Sequence, residues 1–151
     1  MSRGFAHLVQ QSGGAVLVEF ALTLPLLLFV IVGIFDFGIA FQKYGVVTNA
    51  AREGARMAVL PGAYSTGDIE SRVRGYLTAG GIAATPTILV ADDLIIPEGG
   101  AMPFTAKKVT VQIAHTFTYL VPFARIFGGT FGTVTLKAVS EMRTEVAAGN
   151  P

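Results

Sequence analysis

A long apolar segment opens with Gly13-Gly14-Ala15-Val16-Leu17-Val18-Glu19-Phe20. From Phe20 to Phe35 the chain carries no charge, and as a helix this run would extend about 24 Å. The hydrocarbon core of a bilayer is about 30 Å thick, so the run crosses it only together with the apolar residues on either side. The sequence therefore predicts a membrane-spanning helix over residues 15–41, and this segment decides the fold.

A cleaved secretory signal peptide is the main alternative for this segment, and it fits poorly. The apolar run is longer than the core of a signal peptide, Glu19 stands near its start, and no Ala-x-Ala-like site cleanly follows it. We therefore expect a retained helix that crosses the membrane once.

Glu19 is the one ionisable residue at the start of the span. Placing a charged side chain within a membrane segment costs about 2.5–3.5 kcal/mol on insertion scales, so such a residue is a functional candidate. The alternative is an ordinary acid at headgroup level, favourable to the positive end of the helix. Both readings stay open on the residues alone.

Composition argues against several classes of protein. The chain has 151 residues, 52% of them hydrophobic, a net charge of +1 and no cysteine. The balanced charge favours neither a nucleic-acid partner nor an acidic substrate. His7 and His115 lie far apart, and no serine has the context of a catalytic nucleophile. We expect no enzyme activity, no cofactor and no metal site.

The helical pattern continues beyond the membrane. Apolar residues recur at three- and four-residue spacing until Pro61-Gly62 ends the helix, with Glu53 and Arg56 placed for an i,i+3 ion pair. A short helix is predicted next, capped by Ser65 or Thr66 and ended by Gly80-Gly81.

The rest of the chain alternates as strands do. The two long candidate strands are residues 108–119 and 133–143. Residues 87–91 form a shorter candidate strand, which residues 94–96 either extend or pair with. Residues 122–127 suit one helical turn. His115 falls on the apolar face of its strand, where we expect a core histidine. The predicted fold class is α+β: a long N-terminal helix, a short helix and an antiparallel sheet of three or four strands.

This pattern divides the chain into five parts. They are a leader over residues 1–14, a transmembrane helix over 15–41, its soluble continuation over 42–60, an α+β domain over 61–146 and a flexible tail over 147–151. The flanking charges do not fix the orientation, because Arg3 on one side faces Lys43, Arg52 and Arg56 on the other.

The N-terminal third resembles the TadE-like pseudopilins of the tight-adherence (Tad, or Flp) pilus system. The resemblance rests on four stretches: GAVLVEFAL at 14–22, LPLLL at 24–28, GIFDFG at 33–38 and NAAREGAR at 49–56. It is dense from Gly13 to Ala58 and thin beyond, where only a β-rich pattern agrees.

The resemblance implies a mechanism of maturation and assembly. A prepilin peptidase would cut between Gly14 and Ala15, and Glu19 would then meet the freed amino group of a neighbouring subunit. Asp36, Arg52, Glu53 and Arg56 become candidates for subunit contact; on the residues alone, Asp36 is an interfacial charge and the other three a solvated helix face.

The same resemblance implies partners and a location. The partners are the peptidase, other pilins, the inner-membrane assembly platform and lipid. The protein would sit in the inner membrane with its N-terminus cytoplasmic and its C-terminal domain outside, or enter surface pili. Two alternatives stay open: an uncleaved single-pass protein whose extracytoplasmic domain binds the machinery, and a cargo of the secretion apparatus.

Overall fold

The structure is a computed structural model that describes residues 4–60, 64–95, 104–126, 128–129 and 132–144. Its elements, in chain order, are α1 (Gly4–Val59), α2 (Thr66–Ala79), β1 (Thr87–Ile95), β2 (Phe104–Thr116), α3 (Leu120–Ile126) and β3 (Thr133–Arg143). The predicted α+β class is confirmed. The predicted tail and the helix-ending Pro61-Gly62 lie outside the described residues.

Helix α1 begins earlier than the predicted span. It starts at Gly4, so most of the predicted leader is helical, and it continues past Gly13, Gly14 and Pro25 to Val59. Each glycine costs a helix about 1 kcal/mol relative to alanine, which weakens the helix locally without ending it. The apolar half of α1 is long and apolar enough to cross a membrane and is not buried within the protein.

Helix α2 starts and ends as the sequence predicted. Ser65 is the N-cap, its hydroxyl accepts a hydrogen bond from the Asp68 amide, and the Asp68 carboxylate accepts one from the Ser65 amide. This capping box pairs amides that a helix start leaves without partners. The hydrogen bonds hold the pKa of the Asp68 carboxyl below its usual value. Ile69, Val73 and Leu77 form the buried face.

The described strands form one antiparallel sheet in the order β1-β2-β3. β3 has the predicted bounds, whereas the candidates at 87–91 and 94–96 join into the single strand β1. β2 ends at Thr116, three residues before the predicted end, and the chain turns at Thr118 and Tyr119 into α3.

The chain divides into two compact units. One comprises residues 1–38 and 117–131; the other comprises residues 39–116 and 132–151. The core of the second unit joins the C-terminal half of α1 to α2 and the sheet, and its fully buried members include Val47, Ala51, Ala55, Val73 and Val109.

Candidate functional site

The predicted cleavage bond lies inside α1. Gly14 is exposed, and a Cβ atom built on it would meet no heavy atom within 4 Å. Packing among the described residues therefore gives no reason for position 14 to be glycine. Two neighbouring glycines weaken the helix at this point by about 2 kcal/mol relative to two alanines.

Glu19 lies one helical turn beyond Ala15, about 6 Å further along the axis. Its side chain is exposed, and it has no hydrogen-bond or ion-pair partner among the described residues. The neighbouring polar group is satisfied, because the Thr23 hydroxyl donates to the carbonyl oxygens of Glu19 and Phe20 at 3.0 and 3.2 Å. Among the polar side chains of residues 14–35, Glu19 therefore carries the one that has no partner among the described residues.

Asp36 ends the uncharged run, and its environment was not foreseen from the sequence. The side chain is 1% exposed, and three successive backbone N–H groups donate to it. The Thr118 amide lies 3.1 Å from Oδ1, while the Tyr119 and Leu120 amides lie 2.9 and 2.6 Å from Oδ2. Successive amides at a turn form a cradle for an anion, and here a carboxylate of the same chain fills it.

The Asp36 contact also joins the start of α3 to α1. The three amides lead into α3, whose N-terminus is the positive end of its dipole. Beside them the Phe37 and Phe117 rings pack 5.5 Å apart, centroid to centroid. The role predicted for Asp36 in subunit contact stays a prediction, but the acceptor oxygens already have donors within this chain.

The second charged cluster lies on the C-terminal half of α1. Glu53 accepts the predicted hydrogen bonds from Arg56, at 3.2 Å to each oxygen. It also accepts two from Arg72 of α2, at 3.2 and 2.9 Å, which the sequence did not reveal. Arg56 first, and then Arg72, lowers the pKa of the Glu53 carboxyl, and Glu53 raises the pKa of Arg56. The exposed Arg52 does not join this cluster.

Close packing explains the small residues of this motif. Ala51 and Ala55 are fully buried, and a Cβ atom on Gly54 would lie 2.7 Å from Val73 Cγ2 and 3.1 Å from Val109 Cγ1. A larger residue at this position would force the Val73 side chain to shift. The NAAREGAR stretch therefore docks α1 on its own domain.

His115 lies in the core of the second unit, as the alternation predicted. It is buried, and its Nδ1 lies 3.3 Å from Nζ of Lys43 on α1. The Lys43 partner is 72 residues away in sequence and could not be read from it. In the part of the chain that the structure describes, no three His, Asp or Glu side chains are grouped to hold a metal ion.

One helix of the described chain has the length and apolar composition to cross a membrane, and it continues into a small α+β domain, which is the architecture expected of a single-pass membrane protein. Residues 14–56 match the family model of TadE-like protein, so this N-terminal segment of the chain is similar to that family. No curated protein and no solved structure matches the chain. The matched region contains Glu19, Asp36 and the Glu53–Arg56 pair, and it ends before α2, which carries Arg72, and before the sheet.

Proposed function

We propose that this chain is a minor pilin, or pseudopilin, of the Tad (Flp) pilus system. A prepilin peptidase hydrolyses the Gly14–Ala15 bond, which leaves a carboxylate on Gly14 and an ammonium group on Ala15. The mature protein then takes part in assembly of pili for adhesion and surface colonisation. Its N-terminus faces the cytoplasm, its C-terminal domain lies outside, and its partners are other pilins and the inner-membrane assembly platform.

The observation that carries this proposal is the unpartnered carboxylate of Glu19 in an otherwise apolar helix half. A charge at this depth needs a partner, and the described part of the chain supplies none. Cleavage after Gly14 creates a cation one helical turn away. The ammonium group of a neighbouring subunit then offsets the burial cost and sets the axial register between helices.

The open surroundings of Gly14 support the cleavage step. Since nothing in the described part of the chain crowds position 14, a demand for a small residue would come from an enzyme that approaches the backbone closely. The pair of glycines also weakens the helix at this point, which favours unwinding for an active site.

The test is the intact mass and N-terminal sequence of the protein from cells with and without the peptidase. We expect a chain that begins at Ala15, and an uncut chain when the peptidase is absent or in Gly14→Leu. Gly33→Leu is the matched control, because a Cβ atom at Gly33 also meets nothing within 4 Å. An N-terminus at Met1 or Ser2 in every case would contradict the proposal.

A second experiment separates assembly from cleavage. Glu19→Gln should be cut normally but be lost from the sheared pilus fraction, whereas Glu141→Gln, an exposed acid on β3, should enter it as the wild type does. Equal incorporation of both variants would remove the assembly role from Glu19.

One observation favours the alternative of an uncleaved membrane protein. The helix runs without interruption from Gly4 through the Gly14–Ala15 bond, so residues 4–14 extend the anchor as they stand. In that case the C-terminal domain binds other parts of the pilus machinery, and the N-terminal sequence is the same with and without the peptidase.

A further inference from the structure

The turn after β2 and helix α3, residues 117–126, pack against the membrane half of α1. Residues 117–126 belong to the same compact unit as residues 1–38. The Asp36 carboxylate and the Phe37 ring make the contact, through the amides of Thr118–Leu120 and the ring of Phe117. This segment is therefore held at a fixed height on α1.

Counting along α1 relates that height to the thickness of a bilayer. Asp36 stands 21 residues beyond Ala15, which is about 32 Å along a helix. A core of about 30 Å that begins near Ala15 thus ends near Asp36. The lipid-facing side chains of α1 reach the same level, since Ile34, Phe35 and Phe37 are all more than half exposed.

The surface of α3 is apolar on both of its sides. Leu120 and Ala124 form its buried side, while Ile126 on the other is 77% exposed and Tyr119, just before the helix, is 53% exposed. Arg125 is the one charged residue of the segment 117–126. A helix between protein and water has a polar outer face, whereas a helix that is apolar all round is buried or in lipid.

Backbone polar groups at both ends of α3 form hydrogen bonds within the protein. Asp36 takes the amides at its start, and the Gly128 and Gly129 amides donate to the carbonyl oxygens of Arg125 and Ala124 at 3.1 and 2.9 Å. Where water is scarce, backbone polar groups must find partners within the protein.

We propose that residues 117–126 are a second membrane contact, seated at the boundary of headgroups and acyl chains in the leaflet next to the C-terminal domain. Tyr119 and Ile126 face lipid, and Arg125 extends its guanidinium to the headgroups, as aromatic and long basic side chains do at membrane interfaces. The contact requires that α1 crosses the membrane. It does not depend on cleavage after Gly14.

The test uses the absence of native cysteine, which lets one introduced cysteine carry a nitroxide label. The full chain is reconstituted in phosphatidylcholine vesicles at a high lipid-to-protein ratio, labelled at Ile126→Cys or, as a second site, Tyr119→Cys. Collisions with oxygen, which concentrates in lipid, are compared with collisions with a water-soluble nickel chelate. Val134→Cys is the matched control, an exposed aliphatic position on β3, and Leu27→Cys marks the span.

We expect the oxygen-to-nickel ratio at positions 126 and 119 to be several-fold above that at position 134. A ratio equal to that at 134 would place the segment in water and overturn the proposal. Low collision rates with both reagents would mean burial against protein, such as a second copy, and would overturn it too. Nickel access at position 27 would instead overturn the membrane span on which the proposal rests. The N-terminal sequence tests cleavage separately.

Discussion

A single carboxylate, Asp36, connects two parts of the chain that lie more than 80 residues apart. Asp36 stabilises this contact by accepting hydrogen bonds from three backbone amides with its two oxygens. A buried donor that loses its acceptor costs about 1–3 kcal/mol. The position is therefore more sensitive to truncation than an exposed acid.

We expect Asp36→Ala to release the amides of Thr118, Tyr119 and Leu120. Their hydrogen exchange, measured on the full chain in detergent micelles, should accelerate by about tenfold or more, because a loss of about 1.4 kcal/mol corresponds to a factor of ten. Asp92→Ala is the control, since Asp92 is an exposed acid paired with Lys107. Unchanged exchange of the three amides in Asp36→Ala would show that the carboxylate does not hold them.

Two glycines give opposite expectations for one and the same substitution. Gly54→Ala forces a methyl group against Val73 and Val109 and should destabilise the domain by about 1–3 kcal/mol. Gly75→Ala adds a methyl group inside α2 where nothing lies within 4 Å, and should stabilise it by about 0.4–1 kcal/mol. Urea unfolding of both variants in micelles measures the difference. A Gly54→Ala protein as stable as Gly75→Ala would contradict the packing described here.

Among the elements, α1 and α2 are joined at the surface by charge. Glu53 forms ion pairs with Arg56 on α1 and with Arg72 on α2, so it links the two helices. Because the two arginines are largely solvent-exposed, the contribution is small and depends on salt.

This bridge predicts a dependence on pH. The pKa of Glu53 is lower in the folded protein than its ordinary value of 4.5. Its stabilisation is therefore complete above that value and is lost as the pH falls through the lower, folded pKa. We expect the urea midpoint of the wild type to fall more between neutral pH and about pH 3 than that of Glu53→Gln.

The control for this pH series is Glu70→Gln, whose partner Arg74 lies on the same helix. It should retain most of the acid sensitivity of the wild type. Identical acid sensitivity of Glu53→Gln and the wild type would show that the bridge adds nothing to stability.

The bounds of an element could be predicted from the sequence when the pattern that sets them lies within the element itself. β3 was predicted with its observed bounds because its alternation is complete within the strand. The sequence left open whether residues 94–96 extend the strand at 87–91 or pair with it, and Asp92 and Asp93 between them are of a type rare in strands. In the structure they belong to one edge strand, β1, where charge is tolerated and Asp92 pairs with Lys107. The predicted end of β2 was too late because the chain turns at Thr118 and Tyr119, whose amides donate to Asp36. Asp36 lies on α1, far away in sequence, so the alternation within β2 does not reveal this turn.

For the candidate site, too, the sequence reveals patterns within one helix but not contacts between elements. Glu19 and the Glu53–Arg56 pair could be found from spacing along one helix. Arg72, Lys43 and the amides around Asp36 could not, because each meets its partner through tertiary packing. An isolated acid at the end of an apolar run, with no base within one turn, is the pattern that could have pointed to Asp36.

For the whole molecule, the apolar half of α1 decides where the protein resides. Leu27→Arg places a charge in the middle of that half and should lower membrane insertion, at a cost of about 2.5–3.5 kcal/mol on insertion scales. Leu89→Arg is the control, because Leu89 is equally exposed but lies on β1. Alkaline carbonate extraction of membranes measures both variants. Equal retention in the membrane pellet would contradict a span centred on Leu27.

The sheet order β1-β2-β3 has a consequence for how quickly the domain forms. Each described strand pairs with its neighbour along the chain, across residues 96–103 and 117–132. Pairings between strands close in sequence lower the contact order, and proteins of low contact order fold faster. A rapidly completed meander leaves unpaired strand edges exposed only briefly, which limits misassociation between newly made copies crowded in one membrane.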